Sequence, residues 1–118
     1  KLIRVLNGSI YDVIVDIRSN SNTFRSWSGV FLNDDKKEQL WIPEGFAHGF
    51  LVLSDFAKIV YKVTNFWTPD LERTLLWNDK FIDIQWPLNS FGIQETLLSD
   101  KDKEGLHFKD LSNKGELF

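Results

Sequence analysis

The chain has 118 residues, no cysteine and a net charge of −3 at pH 7, and 42 % of its residues are hydrophobic. The interspersed charges argue against a nucleic-acid partner, and the absence of cysteine excludes a disulfide framework and a thiolate metal site. We expect one folded domain over residues 1–118; the lack of a signal peptide or a long apolar run predicts a cytoplasmic protein without a membrane partner.

The chain begins with two predicted strands joined by a tight turn. Residues 2–6 have strand character, and Asn7-Gly8 favours a hairpin because both residues tolerate a positive φ. Residues 9–18 then alternate along a long strand. One face of this strand carries Tyr11, Val13, Val15 and Ile17, and the other carries Ile10, Asp12, Ile14 and Asp16.

The remaining segments are also strand-like. Strands are predicted over residues 24–32, 40–42, 46–53 and 56–64, with shorter candidates at 75–77 and 82–84. Ser99 is typical of a helix N-cap because Asp102 follows three residues later, and residues 103–118 are predicted to be an irregular tail. Many short strands without a long helix predict an all-β, antiparallel sandwich or barrel and disfavour the parallel-sheet classes.

Two side chains on the predicted inner faces are candidates for chemistry. His48 follows the turn Pro43–Gly45 and shares a strand face with apolar residues. A lone histidine in this position is most simply a core residue, but the small neighbours Ala47 and Gly49 leave room for a ligand. Tyr61 lies in the middle of a strand, where a phenol either needs only a hydrogen-bond partner or acts as a general acid.

The other polar candidates have simple alternatives. Lys1, Glu72 and Lys101 have the character of surface residues, and Asp102 fits capping and catalysis equally well from its spacing. One well-placed histidine cannot hold a metal ion, so no metal site is predicted. His107 lies in the tail and receives no role.

A set of motifs extends over nearly the whole chain. They are Lys1-Leu2-Ile3-Arg4-Val5 and Gly8; Tyr11-Asp12-Val13; Val15-Asp16-Ile17-Arg18; Thr23-Phe24, Trp27, Gly29-Val30 and Leu32; Gln39 to Phe50; Tyr61-Lys62 and Thr64; Trp77-Asn78-Asp79; Ile84 and Trp86-Pro87; and Leu98-Ser99 with Lys101-Asp102. The twelve-residue stretch from Gln39 to Phe50 is specific on its own. On these residues the chain resembles the C-terminal larger part of the dTDP-4-dehydrorhamnose 3,5-epimerase family.

The resemblance implies a cupin-type jelly-roll barrel, a homodimer, and neither a metal nor an organic cofactor. It also implies an isomerase of dTDP-rhamnose biosynthesis that epimerises C3 and C5 of a dTDP-linked 4-keto-6-deoxysugar. A ketone at C4 acidifies the hydrogens on C3 and C5. A base therefore removes each proton, an acid returns it from the other face, and a cation near the C4 oxygen stabilises the enolate.

The family's roles transfer to matching positions of this chain. Tyr61 matches the proton donor, Lys1 matches the lysine near the C4 oxygen, and Asp102 matches the carboxylate that orients the catalytic histidine. Substrate-binding positions are matched by His48, Glu72 and Lys101. Trp67 stands where the family usually has a tyrosine that stacks near the substrate, which leaves a single-carbon epimerase as an alternative.

A second departure concerns the catalytic base. The family's base is a histidine in an Arg-Gly-Leu-His segment shortly before the lysine that Lys1 matches, and the 118 residues do not contain that segment. We therefore expect an N-terminally truncated cupin domain that is inactive on its own. A non-catalytic sugar-nucleotide-binding cupin remains a second interpretation, and a metal-dependent cupin is disfavoured by the single well-placed histidine.

Overall fold

The structure is a computed structural model that describes every residue from Lys1 to Phe118. Its strands are β1 (Leu2–Asn7), β2 (Ser9–Asp16), β3 (Trp27–Asn33), β4 (Gln39–Trp41), β5 (Phe46–Val52) and β6 (Lys58–Lys62). The helices are α1 (Asp100–Lys103) and α2 (Phe108–Asn113), and single 3₁₀ turns lie at Pro69–Leu71 and Asn89–Phe91. The predicted all-β class is confirmed. None of the helices has the length and apolar character needed to cross a membrane.

The strands form two antiparallel sheets that face each other. One sheet has the order β4-β1-β6 and the other β3-β2-β5. The main core lies between the central strands β1 and β2 and consists of Ile3, Val5, Ile10, Leu32 and Ile42. The double-sheet architecture predicted from the alternation of apolar residues is therefore confirmed, because alternating positions of each strand turn toward the opposite sheet.

The hairpin predicted at Asn7-Gly8 is wrong. The chain crosses here from one sheet to the other, because β1 pairs with β4 and β6 whereas β2 pairs with β3 and β5. Gly8 adopts φ +83°, its N–H donates to an Asp34 carboxylate oxygen at 2.9 Å, and a side chain at this position would collide with the carbonyl of Phe56. The chain does turn at Gly8, as predicted. The two strands do not pair with each other, because each is buried as the central strand of a different sheet.

The C-terminal segment differs most from the sequence prediction. Residues 75–77 and 82–84 are not strands, and only a single bridge joins Leu75 to Leu106. The tail predicted to be irregular contains α2, whose Phe108 and Leu111 are buried at helical spacing. Phe108 packs with Ile82 on Val15 of β2. This segment therefore covers the outer face of β2, so the strand is buried on both sides.

Candidate active site

Side chains from four parts of the chain meet at an open rim beside β1 and β6. The Lys101 ammonium at the start of α1 lies 2.6 Å from Glu72 Oε1, which follows the first 3₁₀ turn. Lys1 and Trp67 are near enough to lower the pKa of Glu72, and Asp102 and Tyr61 are near enough to raise the pKa of Lys101. We call this group the rim cluster: Lys1, Tyr61, Trp67, Glu72, Lys101 and Asp102. It brings together every predicted site residue except His48.

The rim cluster is held by charge rather than by burial. The hydrogen bond from Lys101 lowers the pKa of Glu72, and the Trp67 indole N–H and the charge of Lys1 lower that pKa further. The same contact with Glu72 raises the pKa of Lys101, with added effects from Asp102 and Tyr61. Both groups of the ion pair are partly exposed to solvent. The cluster therefore presents fixed charges to a solvent-facing surface.

Asp102 has the local contacts of a helix N-terminus. The Ser99 hydroxyl accepts a hydrogen bond from the Asp102 backbone N–H at 3.2 Å and donates one to the Asp102 carboxylate at 2.7 Å. The predicted N-cap at Ser99 is confirmed. The catalytic assignment of Asp102 stays a prediction; the cap fixes the place of its carboxylate beside Lys101.

Tyr61 and His48 lie on different sheets. Tyr61 is directly opposite Ile3 of β1, and His48 is directly opposite Ile14 of β2, so the register turns both side chains toward the space between the sheets. Tyr61 is nevertheless 63 % exposed. The enclosed position expected for Tyr61 is not observed, because it lies on the edge strand β6 of its sheet.

His48 makes a close contact with a buried carboxylate, and we call these two residues the inner pair. The His48 Nε2 atom lies 2.9 Å and 3.1 Å from the two oxygens of Asp12. The side chains are 8 % and 0 % exposed. The alternation along β2 puts Asp12 on the same face as Ile10 and Ile14, and no role was predicted for it. That placement predicts a buried partner for Asp12, because a carboxylate on an apolar face requires one.

Two further carboxylates are buried and were not singled out from the sequence. Asp16 accepts hydrogen bonds from Arg18, Ser21 and Thr23. The Arg18 guanidinium holds the pKa of Asp16 well below its usual range; burial opposes this shift, while the Ser21 and Thr23 hydroxyls add to it. These contacts tie the loop after β2 back to the strand, and we assign them to stability.

Asp79 connects the loop at residues 79–82 to the start of α2. It accepts from the backbone N–H groups of Phe81, Ile82 and Phe108 and lies 3.0 Å from Nδ1 of His107. Burial would raise the pKa of Asp79, but these hydrogen bonds together hold it below its ordinary value. His107, for which no role was predicted, therefore takes part in attaching α2.

One open cavity lies away from the rim cluster. It has a volume of about 270 Å³, is lined by Trp77, Asp79, Asp83 and Trp86, among others, and contains none of the predicted site residues. No three His, Asp or Glu side chains are arranged so that they could hold a metal ion. The rim cluster and the inner pair are thus the two candidate positions for chemistry.

Comparison with known proteins gives one consistent result. A family model described as dTDP-4-dehydrorhamnose 3,5-epimerase matches residues 1–110. The dTDP-4-dehydrorhamnose 3,5-epimerase of Shigella flexneri is 54 % identical over 110 residues, which cover 93 % of this chain and 58 % of that protein. The chain thus spans somewhat more than half the length of such relatives.

Solved structures agree with the fold. The RmlC epimerase of Mycobacterium tuberculosis superposes with a TM-score of 0.93 at 34 % identity, covering 98 % of this chain and 57 % of that one. RmlC from Legionella pneumophila, solved in complex with dTDP-4-keto-L-rhamnose, gives a TM-score of 0.88 at 41 % identity, with coverage of 98 % and 59 %. The cupin-type jelly-roll fold expected from the sequence is confirmed.

Proposed function

The chain belongs to the dTDP-4-dehydrorhamnose 3,5-epimerase family, and we propose that the protein epimerises a dTDP-linked 4-keto-6-deoxysugar at C3 and C5. The observation that carries this proposal is the rim cluster. Residues far apart in sequence, from Lys1 to Asp102, lie near the Glu72–Lys101 ion pair in the combination that the chemistry needs. A phenol, two ammonium groups and two carboxylates share one solvent-accessible surface.

The proposed reaction uses this set of groups in a definite way. Removal of the proton on C3 or C5 places negative charge on the C4 oxygen, where the Lys1 ammonium stabilises it. Tyr61 donates a proton to the carbon from the opposite face, which inverts the centre. Glu72, Lys101 and Trp67 bind the substrate, and the ion pair between the first two keeps both side chains in place.

The base that removes the proton is proposed to be the family's histidine, oriented by Asp102. Neither histidine among the 118 residues is a hydrogen-bond partner of Asp102. His48 is hydrogen-bonded to Asp12, and His107 is hydrogen-bonded to Asp79 beside α2.

A single-carbon epimerase is the second candidate function, and Trp67 favours it. The family usually has a stacking tyrosine at this position, whereas the Trp67 side chain is 73 % exposed and its N–H acts on Glu72. An indole stacks on a sugar as a phenol does, but it is larger and has no hydroxyl. The position of the bound ring relative to Tyr61 therefore decides which carbon receives a proton.

The family also supports three less specific proposals. We propose a homodimer, a cytoplasmic location and catalysis without a metal or organic cofactor. None of these follows from the contacts within one chain. Each is measurable on the purified protein, by its mass in solution and by its metal content, and in cells by fractionation.

The test is isotope exchange with the full-length protein. Incubation with dTDP-4-keto-6-deoxyglucose in D₂O is expected to place deuterium at C3 and at C5 and to give the inverted sugar. Deuterium at only one carbon would support the single-carbon alternative. Binding without exchange at either carbon would overturn both enzymatic proposals and leave a non-catalytic sugar-nucleotide-binding cupin.

A further inference from the structure

The segment that carries Glu72 is attached to the rest of the chain by very few interactions. Every residue from 63 to 73 is exposed to solvent, and the 3₁₀ turn within this segment contains no buried residue. Two side-chain hydrogen bonds join the segment to other parts of the chain. One connects Lys101 with Glu72, and the other connects Arg73 with Glu116. The position of the segment therefore depends on polar contacts, because no buried side chain anchors it.

Arg73 makes three hydrogen bonds that close the turn. Its Nε donates to Glu116 Oε1 at 2.7 Å, and its Nη1 donates to the carbonyl oxygens of Asp70 and Glu72, each at 2.9 Å. A guanidinium has several donors in one fixed plane, so one side chain can join the backbone of the turn to a distant carboxylate. The backbone that carries the Glu72 side chain is thereby tied to Glu116.

Glu116 lies on backbone that the fold fixes on both sides. It follows α2, where Gly115 adopts φ +68° and the N–H of Glu116 donates to the Leu111 carbonyl at 3.0 Å. This geometry is that of the Schellman motif, which ends many helices. Two residues further on, the N–H of Phe118 donates to the carbonyl of Ile17 directly after β2. Glu116 is therefore a fixed point to which the exposed turn can be attached.

The Glu116 carboxylate has no hydrogen-bond partner other than Arg73. Its Oε1 accepts from the Arg73 guanidinium, and its Oε2 is buried and accepts no hydrogen bond. The Glu116 side chain is also the more shielded of the two, at 24 % exposed against 43 % for Arg73. Opening of the contact would leave this carboxylate without a partner, which favours the closed pair.

We propose that Arg73 and Glu116, which we call the tail pair, are positioning residues for substrate binding. The tail pair connects the C-terminal tail to the exposed turn and so holds Glu72 and Trp67 where the rim cluster binds the sugar nucleotide. Neither member of the tail pair contacts the substrate in the proposed reaction. This inference rests on the proposed function for the identity of the substrate. The order that the tail pair gives to the turn is measurable without substrate.

The first measurement is amide hydrogen exchange in the full-length protein without ligand. The N–H groups of Leu71 and Glu72 close the 3₁₀ turn. Glu116→Gln should make both exchange about fivefold faster, because the advantage of a charge-assisted hydrogen bond over a neutral one is lost. The N–H of Leu76, which donates to the Leu106 carbonyl, should exchange as before. Unchanged exchange in the turn would overturn the proposal, whether or not the protein is an epimerase.

The second measurement separates positioning from simple attraction of an anionic substrate. If only long-range charge mattered, removal of the negative charge in Glu116→Gln would lower KM for the sugar nucleotide. A loosened turn has the opposite effect, because its ordering becomes part of the cost of binding. We therefore expect KM to rise about fivefold with kcat changed much less. Asp110→Asn removes the same charge from an exposed position of α2 and should not raise KM.

Arg73→Lys tests the tail pair from the other side. Lysine keeps the positive charge beside Glu72, but its single ammonium cannot replace the planar set of donors that reaches Glu116 and two carbonyls. KM should therefore rise as it does for Glu116→Gln. The rise in the double variant should be well below the product of the two single rises, since both changes break one contact.

The possible results lead to different conclusions. A normal KM for Arg73→Lys, or a lowered KM for Glu116→Gln, would overturn the proposal in favour of charge attraction. Faster exchange in the turn with an unchanged KM would show that substrate binding does not depend on the order of the turn, and the proposal fails in that part. If Glu116→Gln does not fold, Arg73→Lys carries the same two measurements.

Discussion

The inner pair and the rim cluster both join a carboxylate to a basic side chain, but the fold holds them in different ways. Asp12 and His48 lie on neighbouring strands, are almost completely shielded from water and are fixed by the register of β2 and β5. Glu72 and Lys101 lie 29 positions apart on a loop and a one-turn helix, and solvent reaches both.

The two regions therefore hold their side chains in place by different interactions. In the inner pair the backbone determines the geometry, and the cost of an unpaired buried charge maintains it. In the rim cluster the side chains hold one another in high dielectric, where an isolated pair contributes little to stability. We therefore expect changes in the first region to affect folding and the orientation of the imidazole, and changes in the second to affect activity with little effect on folding.

The largest expected effect tests whether either region contains its own base. The 118 residues alone, incubated with dTDP-4-keto-6-deoxyglucose in D₂O, should show deuterium at C3 and C5 no faster than in buffer. Loss of one member of a catalytic unit often costs nearly as much as loss of all of it. Rapid exchange at either carbon would mean that a base without an assigned role lies within the 118 residues.

The next effect concerns the phenol of the rim cluster. Tyr61→Phe in the full-length protein should lower the rate of epimerisation about 10²–10⁴-fold, because the general acid is removed. Solvent deuterium should still exchange into the substrate at the carbon that the base can reach. Thermal unfolding should be unchanged, since Tyr61 is 63 % exposed and the hydroxyl leaves no buried partner behind. Near-normal formation of the inverted product would remove Tyr61 from the mechanism.

The two regions also differ in how far sequence could predict them. The members of the rim cluster were identified through the family resemblance, since nothing in their spacing brings Lys1 and Asp102 together. Alternation along β5 and β6 correctly turned His48 and Tyr61 toward the opposite sheet. It could not give the exposure of Tyr61, because exposure depends on what lies beside an edge strand.

The errors have a common physical cause. Asn7-Gly8 has the local preferences of a hairpin, and the segments at 75–77 and 82–84 have those of strands. Tertiary burial overrode these preferences: β1 and β2 were separated into facing sheets, and the C-terminal segment packs on Val15 without extending a sheet. Asp12 was overlooked because its partner is 36 positions away, and only the pairing of β2 with β5 shows that they meet.

A smaller effect on the fold is expected at the other buried carboxylate of β2. Asp16→Asn should lower the free energy of unfolding by about 2 kcal/mol, since charge-assisted hydrogen bonds from Arg18, Ser21 and Thr23 are weakened. Because the pKa of Asp16 is lowered in the folded state, its contribution is complete above the ordinary aspartate pKa of about 3.9 and is lost as the pH falls below it.

Denaturant unfolding at neutral and acidic pH checks this expectation. The difference between Asp16→Asn and the unaltered protein should shrink as the pH falls below that value. A difference that stays constant into the acid range would mean that the Asp16 carboxylate is not the stabilising group. Equal stability of Asp16→Asn and the unaltered protein at neutral pH would contradict the expectation that buried ion pairs contribute more to stability than exposed ones.

The smallest effect on folding is expected at the ion pair of the rim cluster. Lys101→Gln should leave the melting temperature within about 3 °C of the original, because exposed ion pairs add little to stability. It should nevertheless raise KM for the anionic sugar nucleotide, since Lys101 is a proposed substrate contact and also holds Glu72. The increase should be smaller at high salt, where the charge is already screened.

Lys103→Gln is the matched control for this last prediction. Lys103 lies on the same helix with similar exposure, and its nearest acidic partner, Asp100, is 3.7 Å away and itself exposed. This change removes the same charge two positions away without touching Glu72, so KM should stay constant. An equal rise in KM for both variants would point to a general electrostatic attraction of the substrate. A melting temperature strongly lowered by Lys101→Gln alone would instead show that the rim pair supports the fold, and the two regions would then not differ in the way that their burial indicates.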